Sequence, residues 1–198
     1  LFSADAFGKF GVYDADPDDW ACEARRYYFN IVGKYGAQVQ AVLKKVAPLG
    51  VQTICPLHGP VLAENLEYYL GKYNTWSSYV PEDKGVLIAF TSIYGHTAKA
   101  AEVLAKELET AGVEKVVVSD LARSDMAEVL EDAFRYDRMV VMAPTYDAGV
   151  FPVMEEFLNH LKSKNYSNRK VGVVENGSWA PMAAKKMTEA LSAMKKIT

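Results

Sequence analysis

Cysteine, histidine and long apolar runs are scarce in this chain. Its two cysteines, Cys22 and Cys55, cannot build a disulfide framework and form no CxxC pair, which favours a reducing compartment and a cytoplasmic location. No apolar run approaches the roughly 18 residues that a membrane span needs. The 22 lysines and arginines form no basic block and are outnumbered by 25 acidic residues, so the sequence predicts neither a nucleic-acid surface nor a membrane partner.

What is present is typical of a globular protein. The 198 residues are 50% hydrophobic and 24% charged, a composition and length that suit one or two domains. A polar, proline-containing segment at 77–85 is the best candidate boundary, and it predicts a first domain at 1–80 and a second at 81–198. Because the chain begins at Leu1 and its last residues read as a helix, we expect a fragment of a longer protein.

The first part reads as helices joined by proline- and glycine-rich turns. Two helical segments are predicted from Asp18, a candidate cap, to about residue 46, and a further helix is predicted at about 62–76. Between them, the residues VQTIC at 51–55 predict a short strand, which runs into the turn PLHGP.

The second part alternates regularly between apolar strands and amphipathic helices. Strands are predicted at 86–91, 115–119, 138–143 and 170–174, and helices near 97–111, 125–134 and 152–163 and after Pro181. The helix near 97–111 is expected to bury Ala100, Leu104, Leu108 and Ala111. Near-continuous apolar strands are typical of a parallel sheet covered by helices on both faces, so the predicted class is α/β with a doubly wound parallel sheet.

The stretch VLIAFTSIYGHT at 86–97 organises this part. A buried strand there leads into a hydroxyl-rich turn at a helix N-terminus, where backbone N–H groups are unpaired and the dipole is positive. Such a turn binds anions. Because no lysine or arginine lies in it, it suits the phosphate of a bound cofactor; alternatively, it is an ordinary strand-to-helix turn.

Two other strand ends carry aromatic, glycine and asparagine residues, PTYDAGVFP at 144–152 and ENGSWAP at 175–181. In a doubly wound sheet, ligands bind at the carboxyl ends of the strands, where the strand order reverses. Loops of this composition could form a slot for a flat ring, and together with the first loop they favour a mononucleotide site.

These three loops resemble the FMN-binding loops of the flavodoxin fold, over roughly 85–198. The resemblance implies that the first loop holds the FMN phosphate and that the other two flank the ring, with Tyr146 or Trp179 stacked on it. It also implies a fifth strand and a final helix, and we expect both to be missing here, so that four of the five strands are present. The implied cofactor-binding residues are Thr91, Ser92, Ile93, Tyr94, Gly95, His96, Thr97, Pro144, Thr145, Tyr146, Asp147, Gly149, Asn176, Gly177, Ser178 and Trp179.

The first part is similar to the flavodiiron proteins (A-type flavoproteins), through FSADAFGKFG, ICPLHGPVL and YNTWSSYVP. In that family a metallo-β-lactamase-like αββα domain with a non-haem diiron site precedes the flavodoxin-like domain. The resemblance implies that Asp5 bridges two irons and His58 binds one, so both are the candidate catalytic and metal residues. The further ligands that the family requires are not in this sequence, and neither His96 nor His160 matches one.

The family resemblance implies an oxidoreductase that passes electrons from FMN to iron, where O2 becomes water or NO becomes N2O. It also implies a head-to-tail homodimer and an electron donor such as rubredoxin or another reductase. Asp147 and Glu175, if near the ring, are expected to lower the flavin's reduction potential.

Three other functions remain open at this stage. The chain could be an FMN electron-carrier module without catalytic metal, or a zinc β-lactamase-like hydrolase fused to a flavodoxin domain. A quinone reductase of flavodoxin fold would explain the second part but leave 1–80 without a role.

Overall fold

A computed structural model describes residues 1–12 and 20–198, and the chain divides into two compact units, Leu1–Val80 and Pro81–Thr198. The predicted cap Asp18 lies outside the described residues. Within the described residues, no helix is both long and apolar enough to cross a membrane.

The first unit is helical. Helix α1 (Trp20–Tyr27) continues as a π-helical turn (Tyr28–Val32) and a 3-10 turn (Gly33–Tyr35), followed by α2 (Gly36–Val46), a 3-10 turn (Ala47–Leu49) and α3 (Leu66–Ser77). The predicted strand at 51–55 is wrong. Ile54 and Cys55 make only isolated bridges, to Leu62 and Phe2, because the nearby prolines 56 and 60 lack the N–H that a continuing ladder needs.

Aromatic rings make the core of the first unit. The indoles of Trp20 and Trp76 stack with centroids 5.7 Å apart, and the rings of Tyr28 and Tyr73 lie 5.5 and 5.3 Å from that of Trp76. All four side chains are almost completely buried. This cluster joins α1, the π-helical turn and α3.

The second unit is an α/β sheet. Its strands are β1 (Asp83–Phe90), β2 (Val116–Asp120), β3 (Tyr136–Tyr146), β4 (Gly149–Val150), β5 (Ser167–Asn176) and β6 (Lys195–Ile197). Its helices are α4 (His96–Thr110), α5 (Met126–Arg135), α6 (Pro152–Ser163) and α7 (Ala183–Ser192). The order is β2-β1-β3-β5-β6 with all neighbours parallel, and β4 forms a hairpin with β3. This is the flavodoxin-like arrangement, which confirms the predicted fold class.

The expectation of only four of the five parallel strands is wrong. Helix α7 ends at Ser192, and Lys195–Ile197 then pairs in parallel with β5 through Ser167 and Arg169. The sequence KKI at this strand is too short and too polar to stand out as an apolar run, and the preceding helical periodicity extends into it.

The buried face of α4 is rotated by one position from the predicted one. Ala101 and Ala105 are buried in the core, whereas Ala100 and Ala111 are exposed. Leu104 and Leu108 pack partly buried against the same cluster. Because successive helical residues differ by about 100°, small alanines on either side of the true face cannot be distinguished by pattern alone.

An ion-pair cluster stabilises the edge of the sheet opposite to the candidate site. The Asp83 carboxylate is 3.0 Å from Lys115 Nζ and 2.8 Å from Arg135 Nε. Burial raises the pKa of Asp83, but the hydrogen bonds and positive charges of Lys115 and Arg135 outweigh it, so the net shift is downwards.

We expect Asp83→Asn to lower the free energy of unfolding by about 1–2 kcal/mol at pH 7, because charged hydrogen bonds of this kind are lost. A carboxylate with a lowered pKa in the folded state stabilises it above about pH 4, and this contribution disappears as the pH falls further. Urea titrations between pH 7 and 3 should show the variant and the native chain converging at low pH. Glu189→Gln, in an exposed pair with Lys186, is the control and should change stability by less than about 0.5 kcal/mol. A gap that is as large at pH 3 as at pH 7 would contradict the ion-pair explanation.

Candidate functional site

The first strand-end loop turns sharply into α4. Its start is fixed because the Thr91 backbone N–H donates to the Met142 carbonyl at 2.9 Å, which extends the pairing of β1 with β3. Gly95 then has φ +88°, and its N–H donates to Ser92 Oγ at 3.0 Å. A Cβ at Gly95 would meet open space, so the glycine is there for its backbone conformation. The turn leaves the first N–H groups of α4 directed at its open end.

Two threonine hydroxyls lie beneath this loop. The Thr91 side chain is fully buried, and its Oγ1 has no hydrogen-bond partner among the described residues. Thr97 Oγ1, also buried, accepts from Asn176 Nδ2 at 3.5 Å, which links the first loop to the third. A buried hydroxyl without a partner costs free energy, so Thr91 fits a site in which a bound group supplies that partner. The donors of this loop are neutral groups that suit a phosphate.

The second loop is a tight hairpin. Thr145 and Tyr146 pair antiparallel with Val150 and Gly149, and the two residues between them, Asp147 and Ala148, have φ of +48° and +56°. Positive φ at both positions is the conformation of a type I′ turn. The hairpin leaves the Tyr146 ring 44% exposed and edge-on to Phe151, with centroids 5.5 Å apart. Pro144 is buried beneath it.

The third loop connects β5 to α7 and carries an exposed indole. Trp179 is 85% exposed, and the next residue, Ala180, has φ +46°. A large aromatic side chain so open to solvent is available to stack on a planar ligand. Asn176 and Ser178 are also exposed.

The sheet register brings the three loops to one edge. Phe90 is paired with Met142, and Pro144 with Asn176, so β1, β3 and β5 end side by side. From β1 the chain goes first to β2 on one side and then to β3 on the other, which makes this edge the topological switch point where ligands bind in such sheets. The exposed rings of Tyr94 (87%), Tyr146 and Trp179 therefore lie on loops of one edge.

The first unit brings Asp5 and His58 together. His58 Nδ1–H donates to the Lys9 carbonyl over 2.8 Å, and His58 Nε2 lies 3.8 Å from Asp5 Oδ1. A hydrogen bond that occupies one ring nitrogen fixes the other as the free ligand atom, as in metal-binding histidines. The carboxylate and the imidazole nitrogen thus face the same small volume.

The His58 ring packs against Gly8, where there is no room for a side chain. A Cβ there would lie 2.6 Å from His58 Cε1 and 2.9 Å from its carbonyl oxygen. The neighbouring turn is held by the Phe7 N–H, which donates to the Tyr73 hydroxyl at 2.6 Å, and by the Trp20 indole N–H, which donates to the Phe7 carbonyl at 2.9 Å. The aromatic core of the first unit therefore supports the turn that carries Asp5.

Tyr27 also lies beside the Asp5–His58 pair, and the sequence did not predict it there. Its ring lies edge-on to that of His58, with centroids 5.0 Å apart. Partial burial and the neighbouring Asp5 carboxylate raise the pKa of the Tyr27 phenol. The only signal in the sequence is a run of aromatic residues on a predicted helix, which reads as core. Among the described residues, no group of three or more histidine, cysteine, aspartate or glutamate side chains could hold a metal ion.

The remaining histidines lie apart from this pair. His96 is exposed at the start of α4, and His160 is partly exposed on α6, where its Nε2 is 3.7 Å from Glu156 Oε1. The predicted contact of His160 with solvent is therefore only partial.

Comparisons with known proteins agree with this arrangement. The sequence profile of the family described as Flavodoxin domain matches residues 87–197. A rubredoxin-oxygen oxidoreductase of Megalodesulfovibrio gigas is 27% identical over 176 residues, which are 86% of this chain and 43% of that protein. An anaerobic nitric oxide reductase flavorubredoxin of Aeromonas hydrophila is 25% identical over 189 residues, 90% of this chain and 38% of the other.

Among solved structures, the flavodiiron protein of Giardia intestinalis superposes with a TM-score of 0.88 at 19% identity, over 100% of this chain and 53% of that one. The chain spans about half the length of the curated relatives it matches.

Proposed function

The chain belongs to the flavodiiron protein family, with a flavodoxin domain over 87–197, and from this premise we propose that it binds FMN and transfers electrons. The observation that carries the proposal is the meeting of the three loops at the switch point of the sheet, where β1, β3 and β5 end side by side. The Thr91 hydroxyl, which has no hydrogen-bond partner among the described residues, and the exposed indole of Trp179 fit the two ends of such a cofactor.

Each loop has a distinct proposed task. The first binds the phosphate through hydroxyl and backbone N–H donors. The second covers one side of the ring and the ribityl chain, and the third the other edge. FMN, when bound, supplies the electron-transfer chemistry, and the protein positions it and tunes its potential. The proposed FMN residues are those of 91–97, together with Pro144, Thr145, Tyr146, Asp147, Gly149, Asn176, Gly177, Ser178 and Trp179.

For the complete protein we propose reduction of O2 to water or of NO to N2O at a non-haem diiron site. Asp5 and His58 would be two of its ligands, since carboxylate oxygen and imidazole nitrogen both suit iron. Their 3.8 Å separation and the hydrogen bond on His58 Nδ1 support a shared role. The first unit would then be part of a metallo-β-lactamase-like domain. The proposed setting is a head-to-tail homodimer that receives electrons from rubredoxin or another reductase.

Reconstitution tests the flavin and metal parts of this proposal separately. Titration of the chain with FMN should give one bound flavin, and the full-length protein should also contain two irons and consume O2 or NO. Bound FMN without iron would support a simple electron carrier instead, and zinc without O2 or NO consumption would support a hydrolase. Failure to bind FMN would refute the core of the proposal.

The Asp147 carboxylate, at the tip of the hairpin, is expected to lower the flavin potential. Two charges 4 Å apart in water interact by about 1 kcal/mol, so Asp147→Asn should raise the two-electron potential by roughly 20 mV. Asparagine tolerates the positive φ of this position, so the hairpin should persist. Glu156→Gln, on the exposed side of α6, is the control. No upward shift in a redox titration of the Asp147 variant would contradict the proposed place of this carboxylate.

A further inference from the structure

The Thr145 hydroxyl contacts the protein backbone in an unusual way. Its Oγ1 accepts the N–H of Met182 at 2.9 Å and that of Ala183 at 3.1 Å, both at the start of α7 and 37 and 38 residues further along the chain. The residue that would normally cap α7, Met182, makes no side-chain cap. A threonine at the end of β3 therefore caps a helix that follows β5, where an oxygen acceptor is ordinarily local.

This contact closes the third loop at its far end. The near end is fixed because Asn176 pairs with Pro144 in the sheet. The loop between these two anchors passes directly over the hydroxyl: a Cβ on Gly177 would lie only 3.3 Å from Thr145 Oγ1 and 3.1 Å from Pro181 Cβ. The residues that hold the two ends of the loop, Pro144 and Thr145, are consecutive in β3. This strand therefore sets the position of both ends of the third loop.

The two N–H groups that Thr145 Oγ1 accepts also limit the hydrogen bonds that this hydroxyl can make to a ligand. A hydroxyl has two acceptor lone pairs and one donor hydrogen, and both lone pairs are used here. Only the hydrogen remains, so toward a ligand this hydroxyl can act only as a donor. The exposed Trp179, by contrast, lies in the middle of the loop that the hydroxyl holds.

We propose that Thr145 is a positioning residue that fastens the third loop to the second and so fixes the ring-binding edge. A second contact, from Ala184 N–H to Glu175 Oε2 at 3.0 Å, reinforces the same helix start from β5. This inference rests on the proposed FMN function for its consequence, but the contact itself can be tested without flavin.

The flavin-free test is amide hydrogen exchange at Met182 and Ala183. Thr145→Val keeps the shape and removes the acceptor, and Thr145→Ser keeps the acceptor. We expect exchange of these two amides to be about tenfold faster in the valine variant, the effect of a net hydrogen-bond contribution of ordinary size. The serine variant should stay within about twofold of the native chain. Equal exchange in the valine and native chains would overturn the inference, whatever the chain does with FMN.

The flavin test distinguishes an effect on ring binding from an effect on phosphate binding. In Thr145→Val we expect the Kd values of FMN and riboflavin to rise together by about tenfold, so that their ratio is unchanged, with altered visible absorption of the bound flavin. Thr145→Ser should restore affinity and spectrum. Gly177→Ala should give the same spectral change, because its Cβ presses on the loop while the hydroxyl is kept. A loss confined to FMN would overturn the inference, whereas a native chain that binds no flavin refutes the proposed function only.

Discussion

Replacement of Thr97 by valine is expected to raise the Kd of FMN by about 10- to 100-fold and to leave that of riboflavin within about threefold. The Thr97 hydroxyl is buried in the first turn of α4 and accepts from Asn176, so it lies at the positive end of the helix beside the proposed phosphate position. A hydrogen bond to a charged group contributes about 1.5–3 kcal/mol. Riboflavin has no phosphate and does not use this contact.

The control for this variant is Thr110→Val, at the other end of the same helix. Thr110 is exposed, and its hydroxyl donates to the Lys106 carbonyl at 2.7 Å. The two substitutions are chemically identical, so fluorescence titration with both flavins isolates the effect of position. Equal losses for FMN and riboflavin in the Thr97 variant would indicate damage to the fold and contradict a phosphate role.

Trp76→Ala is expected to destabilise the first unit by about 3–5 kcal/mol, the usual cost of truncating a buried tryptophan. Its indole is buried against the rings of Trp20, Tyr28 and Tyr73. Because the proposed FMN loops all belong to the unit Pro81–Thr198, FMN affinity should change by less than about threefold. Near-UV circular dichroism and FMN titration of the same sample measure the two effects.

Tyr68→Ala provides the matched control for this core substitution. Tyr68 lies on the same helix, α3, but is exposed, so its loss should cost less than about 1.5 kcal/mol. An equally large loss in both variants would contradict the central place of the tryptophan stack. Loss of FMN binding in step with the unfolding of Leu1–Val80 would contradict independent flavin binding by the second unit.

The predicted sheet follows from signals that the sequence displays plainly. Strands β1 and β3 are apolar runs that lead into hydroxyl and aromatic residues, and such runs have few alternatives to a buried parallel strand. In β5 the apolar run VGVV leads into Glu175 and Asn176. The strand predictions that failed concern short segments. The strand at Lys195–Ile197 is three residues long with two lysines, and the segment 51–55 makes only isolated bridges, one from Ile54 and one from Cys55.

The candidate site was predictable as a set of loops but not as a set of contacts. Strand-end composition pointed to 91–97, 144–152 and 175–181 together, since parallel strands end at one edge. No spacing rule shows that Thr145 accepts from Met182 and Ala183, because that contact joins residues 37 and 38 positions apart. Tyr27 was missed for the same reason: its neighbour His58 is distant in sequence.

The most direct test of the proposed FMN site is a parallel titration of the native chain with FMN and riboflavin, followed by flavin fluorescence. We expect one FMN per chain and a preference for FMN over riboflavin of at least about 100-fold, since several donors of the first loop would bind the charged phosphate. Equal affinity for the two flavins, or no binding of either, would contradict the assignment of 91–97 as a phosphate site.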